Sequence, residues 1–191
     1  MRAPLRFAGS IIVRPIATWR SISLAHDSFA TLFFGYVVPL NALGPLATFV
    51  AEHYVGFRID HVVYRSGAPE ALAQAAFKFV FALVGLMLVT LLVDALAPAF
   101  GARRHFRTSF RIAAFAYTPV WLASLAVLVP ALGFLELAAL AYVIFLLRAG
   151  IVALMGIAPG RAAALALCAV VGTVAIAVGF GQLSWLLTHR G

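Results

Sequence analysis

Long apolar runs separated by short polar connections set the pattern of this chain. Residues 29–50 and 162–187 contain no charged residue, and residues 79–93 form an uncharged stretch within a longer apolar segment, 71–100. A helix rises about 1.5 Å per residue, so roughly 20 apolar residues cross a hydrocarbon core of about 30 Å. These runs therefore predict membrane-spanning helices.

One apolar run, residues 112–147, is too long for a single helix. It contains one charge, Glu136, and as one helix it would be about 54 Å long. Pro130 removes a backbone donor and Gly133 tolerates turn dihedrals, so we predict a break at residues 129–133. Barrel strands need only about 10 residues each, which excludes a barrel. We predict an all-α integral membrane protein, a five-transmembrane-helix bundle with helices at residues 29–50, 71–99, 111–129, 133–155 and 162–187.

Residues 1–28 form a separate N-terminal segment ahead of this membrane domain of residues 29–191. In it, Ile12, Ile16 and Trp19 share one helical face, and the arginines lie elsewhere on the wheel. We predict an amphipathic helix lying in the membrane interface, with Trp19 at the level of the lipid headgroups. A helix that docks onto a specific partner is the alternative.

The arginines fall almost entirely on alternate sides of the five helices. Ten belong to one side and three to the other, so the positive-inside rule places the N-terminus in the cytoplasm and the C-terminus outside. The first group is Arg2, Arg6, Arg14, Arg20, Arg103, Arg104, Arg107, Arg111, Arg148 and Arg161, and the second is Arg58, Arg65 and Arg190.

The net charge of +8 and the pI of about 10.8 raise the possibility of a nucleic-acid partner. The basic residues, however, are spread over short membrane-flanking stretches and are not gathered on one domain, so we expect no nucleic acid and instead contact with anionic lipid. The single cysteine, Cys168, excludes an intramolecular disulfide.

Charged groups inside the membrane are expensive, so they are the first candidates for a functional site. Lys78 and Asp94 lie in the second helix, 16 residues apart, which is roughly 24 Å and too far for them to pair. We expect Lys78 to reach the outer interface and Asp94 to turn toward Arg103 or Arg104. The alternative is a proton or ion relay, for which the sequence supplies only one further group, Glu136.

Helix breakers accompany polar residues in the first and third helices. Broken helices build substrate sites in transporters, and ordinary kinks carry the same sequence pattern. The breakers and their neighbours are Pro39, Asn41, Gly44, Pro45, Tyr117, Thr118 and Pro119. The candidate intramembrane polar site comprises Asn41, Lys78, Asp94, Tyr117 and Thr118.

Catalytic signatures are largely missing: the sequence contains no HExxH, GxSxG, CxxC or phosphate-binding glycine loop. We therefore expect a protein that is not an enzyme and that needs no cofactor or metal. Two acid-histidine pairs, Glu52-His53 and Asp60-His61, lie in the first outer connection. Histidine and carboxylate ligate zinc, but a loop fixes no geometry, so a zinc site and a solvated loop both stay open.

Several strings in order resemble one family across nearly the whole chain. They are IVRPIATWRSI, YVVPLNALGPLATFV, DALAPAFG, FAYTPVWLASLAVLVPALG and AYVIFLLRAGIVALMG. Together they resemble the bacterial branch of the Yip domain family, named for Ypt/Rab-interacting proteins. The resemblance implies five membrane helices, a cytoplasmic N-terminus and a place in the bacterial inner membrane.

The resemblance implies less about activity. Eukaryotic relatives bind small GTPases and one another in vesicle traffic, but this chain lacks the Asp-Leu-Tyr-Gly-Pro string that precedes their first helix. We therefore do not extend small-GTPase binding to it.

Two functional hypotheses remain. The first is a non-enzymatic membrane protein that binds anionic lipid, other membrane proteins or itself, with Trp19, Arg103, Arg104 and Arg107 as the interaction surface. The second is a small transporter or channel for an ion or small solute, with the broken first helix, Asn41, Tyr117, Thr118 and Asp94 lining its path.

Overall fold

The computed structural model describes residues 4–25, 27–59 and 62–188. Within these residues, five helices are long and apolar enough to cross a membrane, which confirms the predicted all-α membrane bundle. We number them as spans one to five: Phe29–Val55, Ala68–Phe100, Phe106–Leu128, Phe134–Met155 and Pro159–Thr188. The first span continues about one turn beyond its predicted end, and the second and third spans begin earlier than predicted.

The first span passes its helix breakers by widening its turns. Pro39 has no backbone N–H and interrupts the ordinary hydrogen-bond ladder, and the turn just before it, Phe33–Val37, is π-helical. The α-helix resumes over Val38–Asn41 and Leu43–Val50, and the span ends in a second π-helical turn, Ala51–Val55. It begins as an α-helix at Phe29–Leu32. The helix breakers therefore do not interrupt the helical path.

The second and third spans change helix type along their length. The second is α-helical over Ala68–Leu96 and tightens to a 3-10 turn at Ala97–Phe100. The third consists of α-helices Phe106–Ala116 and Thr118–Ala123 followed by a 3-10 helix, Ser124–Leu128. A short 3-10 turn, Pro130–Leu132, then leads into the fourth span. The break predicted at residues 129–133 is confirmed.

The connection between the first and second spans contains a small hairpin that the sequence analysis did not predict. Strands β1 (Phe57–Ile59) and β2 (Val62–Tyr64) pair in antiparallel register, with Arg58 opposite Val63. Asp60 and His61, which belong to one predicted acid-histidine pair, lie outside the described residues. The connection is therefore partly ordered by backbone pairing.

The N-terminal segment forms two helices where one amphipathic helix was predicted. Helix α1 (Phe7–Val13) and helix α2 (Pro15–Leu24) meet at Arg14, because Pro15 opens α2 and disfavours helical dihedrals in the residue before it. They follow a 3-10 turn, Pro4–Arg6. The break changes the phase between the two apolar faces. Trp19 is buried, but Ile16 is 64% exposed, so the predicted common face of Ile12, Ile16 and Trp19 is corrected.

Hydrogen bonds join these two helices to the bundle. The Arg111 Nη2 donates to the carbonyl of Ile22 at 2.6 Å and also to that of Ala25, at the C-terminal end of α2. The Tyr142 hydroxyl donates to the carbonyl of Ile12 at 2.9 Å. The N-terminal segment is therefore packed as part of the bundle.

The third span lies at the centre of the fold. Half of its residues are buried, the largest share among the five spans of the described chain. The ring of Phe115 contacts those of Phe7, Trp19 and Tyr36, with centroids 5.7, 6.3 and 4.6 Å away. This aromatic cluster joins α1, α2, span one and span three.

Candidate functional site

Five alternating spans place the N-terminal helices, the 101–105 connection and the 156–158 connection at one end of the bundle. We call this the arginine-rich end. Arg103, Arg104 and Arg107 are exposed there, as expected for an interaction surface. The connection that carries the first two begins at Gly101, whose φ of 91° favours glycine. A Cβ at Gly101 would also lie 3.0 Å from the Arg161 guanidinium, so the chain passes close to the fifth span.

Asp94 shapes this connection from the end of the second span. Its Oδ1 accepts hydrogen bonds from the His105 backbone N–H at 2.8 Å and from the Ser109 hydroxyl at 3.2 Å. Its Oδ2 pairs with the Arg104 Nε at 3.4 Å, which confirms the expected turn toward the arginines. A carboxylate beside the first turn of a helix is favoured by the helix dipole, so Asp94 also stabilises the start of span three.

Trp19 does not belong to the exposed surface predicted for it. Its side chain is 1% exposed, and it packs against Phe115 at the centre of the aromatic cluster. Helical spacing alone does not distinguish an apolar face that meets lipid from one that meets protein. Trp19 is therefore a core residue.

The candidate intramembrane polar site divides into separate places. Asn41, Lys78 and Tyr117 line one cavity of about 600 Å³ among spans one to four. Asp94 lies at the arginine-rich end, in the network described above. Thr118 is fully buried, where it donates to the Phe115 carbonyl at 2.8 Å and accepts from the Tyr36 hydroxyl at 2.6 Å.

Polar contacts tie the first two spans together beside this cavity. The Lys78 Nζ donates to the Thr48 hydroxyl at 3.2 Å, and the Asn41 Nδ2 donates to the Phe79 carbonyl at 3.1 Å. Lys78 therefore has a partner on span one, a contact that the sequence analysis did not predict. Interhelical hydrogen bonds of this kind help to hold membrane helices in register.

His53, at the end of the first span, has a structural contact. The His53 Nδ1 lies 3.1 Å from the Ser66 carbonyl, which it reaches across the connection. No group of three or more metal-ligating side chains is found in the part of the chain that the structure describes. The second acid-histidine pair, Asp60-His61, lies outside the described residues. The prediction of a zinc site therefore concerns residues that the structure covers only in part.

A family model decides what kind of protein carries these features. The model of the Yip1 domain matches residues 9–181, from helix α1 into the fifth span. The chain belongs to the Yip1 domain family. No curated protein and no solved structure shows significant similarity to it.

The matched part of this Yip1 domain includes helix α2, which forms a second basic site that sequence reasoning missed. A groove of about 330 Å³ lies between α2 and the fourth span, with Arg20 and Arg148 among its lining residues. Ile16, Phe145 and Val152 supply apolar wall. The sequence analysis counted both arginines only as topology determinants, because nothing in their spacing shows that α2 folds back onto span four.

The Arg148 side chain is positioned within this groove. Its Nε donates to the Pro159 carbonyl at 3.3 Å, just after the 156–158 connection. A guanidinium carries five N–H donors, so most of them stay available to a ligand. The Trp19 Nε1, on another residue that lines the groove, has no hydrogen-bond partner among the described residues. The groove thus combines two cations and an apolar wall at the arginine-rich end.

Proposed function

We propose that this Yip1-domain protein is a non-enzymatic protein of the bacterial inner membrane that binds anionic lipid, and through it neighbouring membrane proteins, at a cytoplasmic arginine-rich end. The observation that supports the proposal is the groove with Arg20 and Arg148 beside apolar side chains. Basic pockets between helices at the cytoplasmic side suit anionic headgroups, and their apolar walls suit acyl chains. Arg103, Arg104 and Arg107 add exposed positive charge at the same end of the bundle.

The orientation is part of this proposal. In the sequence, ten arginines belong to the segments of one side and three to those of the other, a bias that favours a cytoplasmic location for the first side. Cytoplasmic leaflets that contain anionic lipid attract such residues by about 1 kcal/mol each.

The test compares charge removal at the two basic sites. Wild-type protein, the double variant R20Q/R148Q and the triple variant R103Q/R104Q/R107Q are purified in mild detergent, and the phosphatidylglycerol and cardiolipin retained by each are quantified. We expect both variants to retain several-fold less, with the double variant losing the lipid that resists washing. The variant R65Q, an exposed arginine at the opposite end, is the matched control. Unchanged retention in both variants would refute the proposal.

Protein partners are tested in native membranes. Cross-linking of the tagged protein, followed by identification of what is attached, should recover the same membrane proteins or a second copy from wild type and R65Q. We expect recovery to fall in the triple variant. Equal recovery from all three proteins would show that the partners do not bind through Arg103, Arg104 and Arg107.

One observation favours the second candidate, a small transporter or channel. Asn41, Lys78 and Tyr117 come from three spans and line one cavity. Reconstituted liposomes decide it: transport requires flux of protons, common ions or small solutes above that of empty vesicles, and K78Q should lower that flux. Flux at the level of empty vesicles removes this candidate.

A further inference from the structure

The cavity among spans one to four contains two charged residues of opposite sign. Lys78 lies on span two and Glu136 in the first turn of span four, and both line the cavity. Arg104 with Asp94 is the one ion pair among the described residues, so Lys78 and Glu136 form no ion pair with each other or with another described side chain. Both side chains are exposed and line the cavity, so a bound group with complementary charges can reach them.

The Lys78 ammonium has hydrogen-bond donors that no described residue uses. Its ammonium carries three N–H groups, and one of them is used by the Thr48 hydroxyl. It is also the only lysine of the chain, in which thirteen arginines supply the other basic side chains. The remaining two donors suit an anionic oxygen such as that of a phosphate.

Asn41 contributes a hydrogen-bond acceptor beside the cavity. Its side chain is 2% exposed and lines the cavity, and its Nδ2 is used by the Phe79 carbonyl. Its Oδ1 has no hydrogen-bond partner among the described residues. Buried acceptors without a partner are rare, because the hydration that they lose is not replaced. Asn41 therefore leaves one polar atom beside the cavity unsatisfied.

The walls of the cavity face the bilayer. Phe77 is 69% exposed, Phe81 is 54% exposed and Leu137 is 74% exposed, and all three are apolar side chains on spans two and four that line the cavity. A ligand that enters between these side chains comes from the membrane, and an apolar chain would cover them. The charged residues lie toward the end of the bundle opposite the arginine-rich end.

We infer that this cavity binds one phospholipid with a primary-ammonium headgroup from the leaflet opposite the arginine-rich end. The phosphate lies against Lys78, the ammonium against Glu136, and an acyl chain against Phe81 and Leu137. Phosphatidylethanolamine carries the anion, the cation and the N–H donors together. Phosphatidylcholine has no N–H donor, and phosphatidylglycerol has no cation, so each satisfies only part of the site.

Selective labelling of Lys78 tests the site in the wild-type protein. An amine-reactive reagent can modify only Lys78 and the N-terminus, and peptide mass spectrometry separates the two. The protein is stripped of lipid by extended detergent washing, and short-chain phosphatidylethanolamine, phosphatidylcholine or phosphatidylglycerol is added. We expect phosphatidylethanolamine to slow modification of Lys78 several-fold more than either other lipid, with the N-terminus as the internal reference. Equal rates with all three lipids would overturn the inference.

Two variants then separate the roles of the charges, with lipid retention read by native mass spectrometry. K78Q should reduce retention of phosphatidylethanolamine about tenfold, which is the loss of one charged hydrogen bond. E136Q should remove the preference for phosphatidylethanolamine over phosphatidylglycerol while the protein still binds lipid. E70Q, an exposed acidic residue outside the cavity, should change neither.

The outcomes are distinct from those of the arginine-rich end. K78Q and E136Q should leave phosphatidylglycerol and cardiolipin at the Arg20-Arg148 groove unchanged, and R20Q/R148Q should leave the ethanolamine lipid unchanged. If K78Q unfolds, E136Q and the labelling of wild type still decide the inference. Preferential retention of phosphatidylglycerol by wild type at this cavity, or a lipid preference that E136Q does not alter, would overturn it.

Discussion

The indole ring of Trp19 lies directly against the backbone of Gly150. A Cβ at Gly150 would be 2.8 Å from both Cζ2 and Cη2 of the indole, closer than nonbonded carbon atoms approach in proteins. The γ-methyl Cγ2 of Ile112 would be 3.1 Å away on another side. Helix α2 thus packs against span four at the one position where that span has no side chain.

Gly150→Ala should therefore destabilise the fold although alanine is the better helix former. Overpacking a core of this kind costs about 1–3 kcal/mol, because the ring and the helix have to move apart. Thermal unfolding in detergent measures the effect. Gly85→Ala is the matched control, since nothing lies within 4 Å of a Cβ built there. Equal melting temperatures for the two variants would contradict this packing.

Asp94 should control the order of the arginine connection. Asp94→Ala leaves the His105 N–H without its acceptor and the Ser109 hydroxyl with the His105 carbonyl alone, at 3.5 Å, at a cost of about 1–3 kcal/mol. We expect trypsin to cleave after Arg103 and Arg104 faster in Asp94→Ala than in wild type. Asp94→Asn should be intermediate, because an amide oxygen still accepts the hydrogen bonds but loses the attraction to Arg104. Identical cleavage rates in all three proteins would show that the carboxylate does not order the connection.

Arg111 and Arg107 lie one turn apart on span three and should differ sharply in effect. Arg111→Met keeps an apolar stem but removes the hydrogen bonds to the carbonyls of Ile22 and Ala25. Hydrogen bonds to a charged donor contribute about 1.5–3 kcal/mol, so this variant should unfold at lower temperature. Arg107→Met is the matched control, since Arg107 is exposed. A comparable loss of stability in both variants would mean that general charge removal, and not the bonds to α2, is responsible.

Hydropathy and helix breakers were enough to predict the number of spans and the break near Pro130, because both follow from the length of helix that a bilayer accommodates. The turn of Asp94 toward Arg104 was also predictable, since the two lie close in sequence across one bend. The 600 Å³ cavity was not, because it depends on how spans one, two and four are rotated about their axes. Spans that are apolar on all faces leave that rotation unspecified. Trp19 was misplaced for a related reason, since an amphipathic pattern does not say what its apolar face meets.

The orientation of the bundle makes a prediction that does not depend on any single side chain. A periplasm-active reporter fused after Arg190 should be active, and the same reporter inserted in the 101–105 connection should be silent. The physical reason is the retention of arginine-rich connections on the cytoplasmic side during insertion. The pattern of reporter activity also decides which membrane leaflet each binding site faces. The reverse pattern would place Arg20 and Arg148 outside the cell, so the proposal that they bind lipid of the cytoplasmic leaflet would fail. The cavity at Lys78 would then take its phospholipid from the cytoplasmic leaflet, and the labelling test would be unaffected.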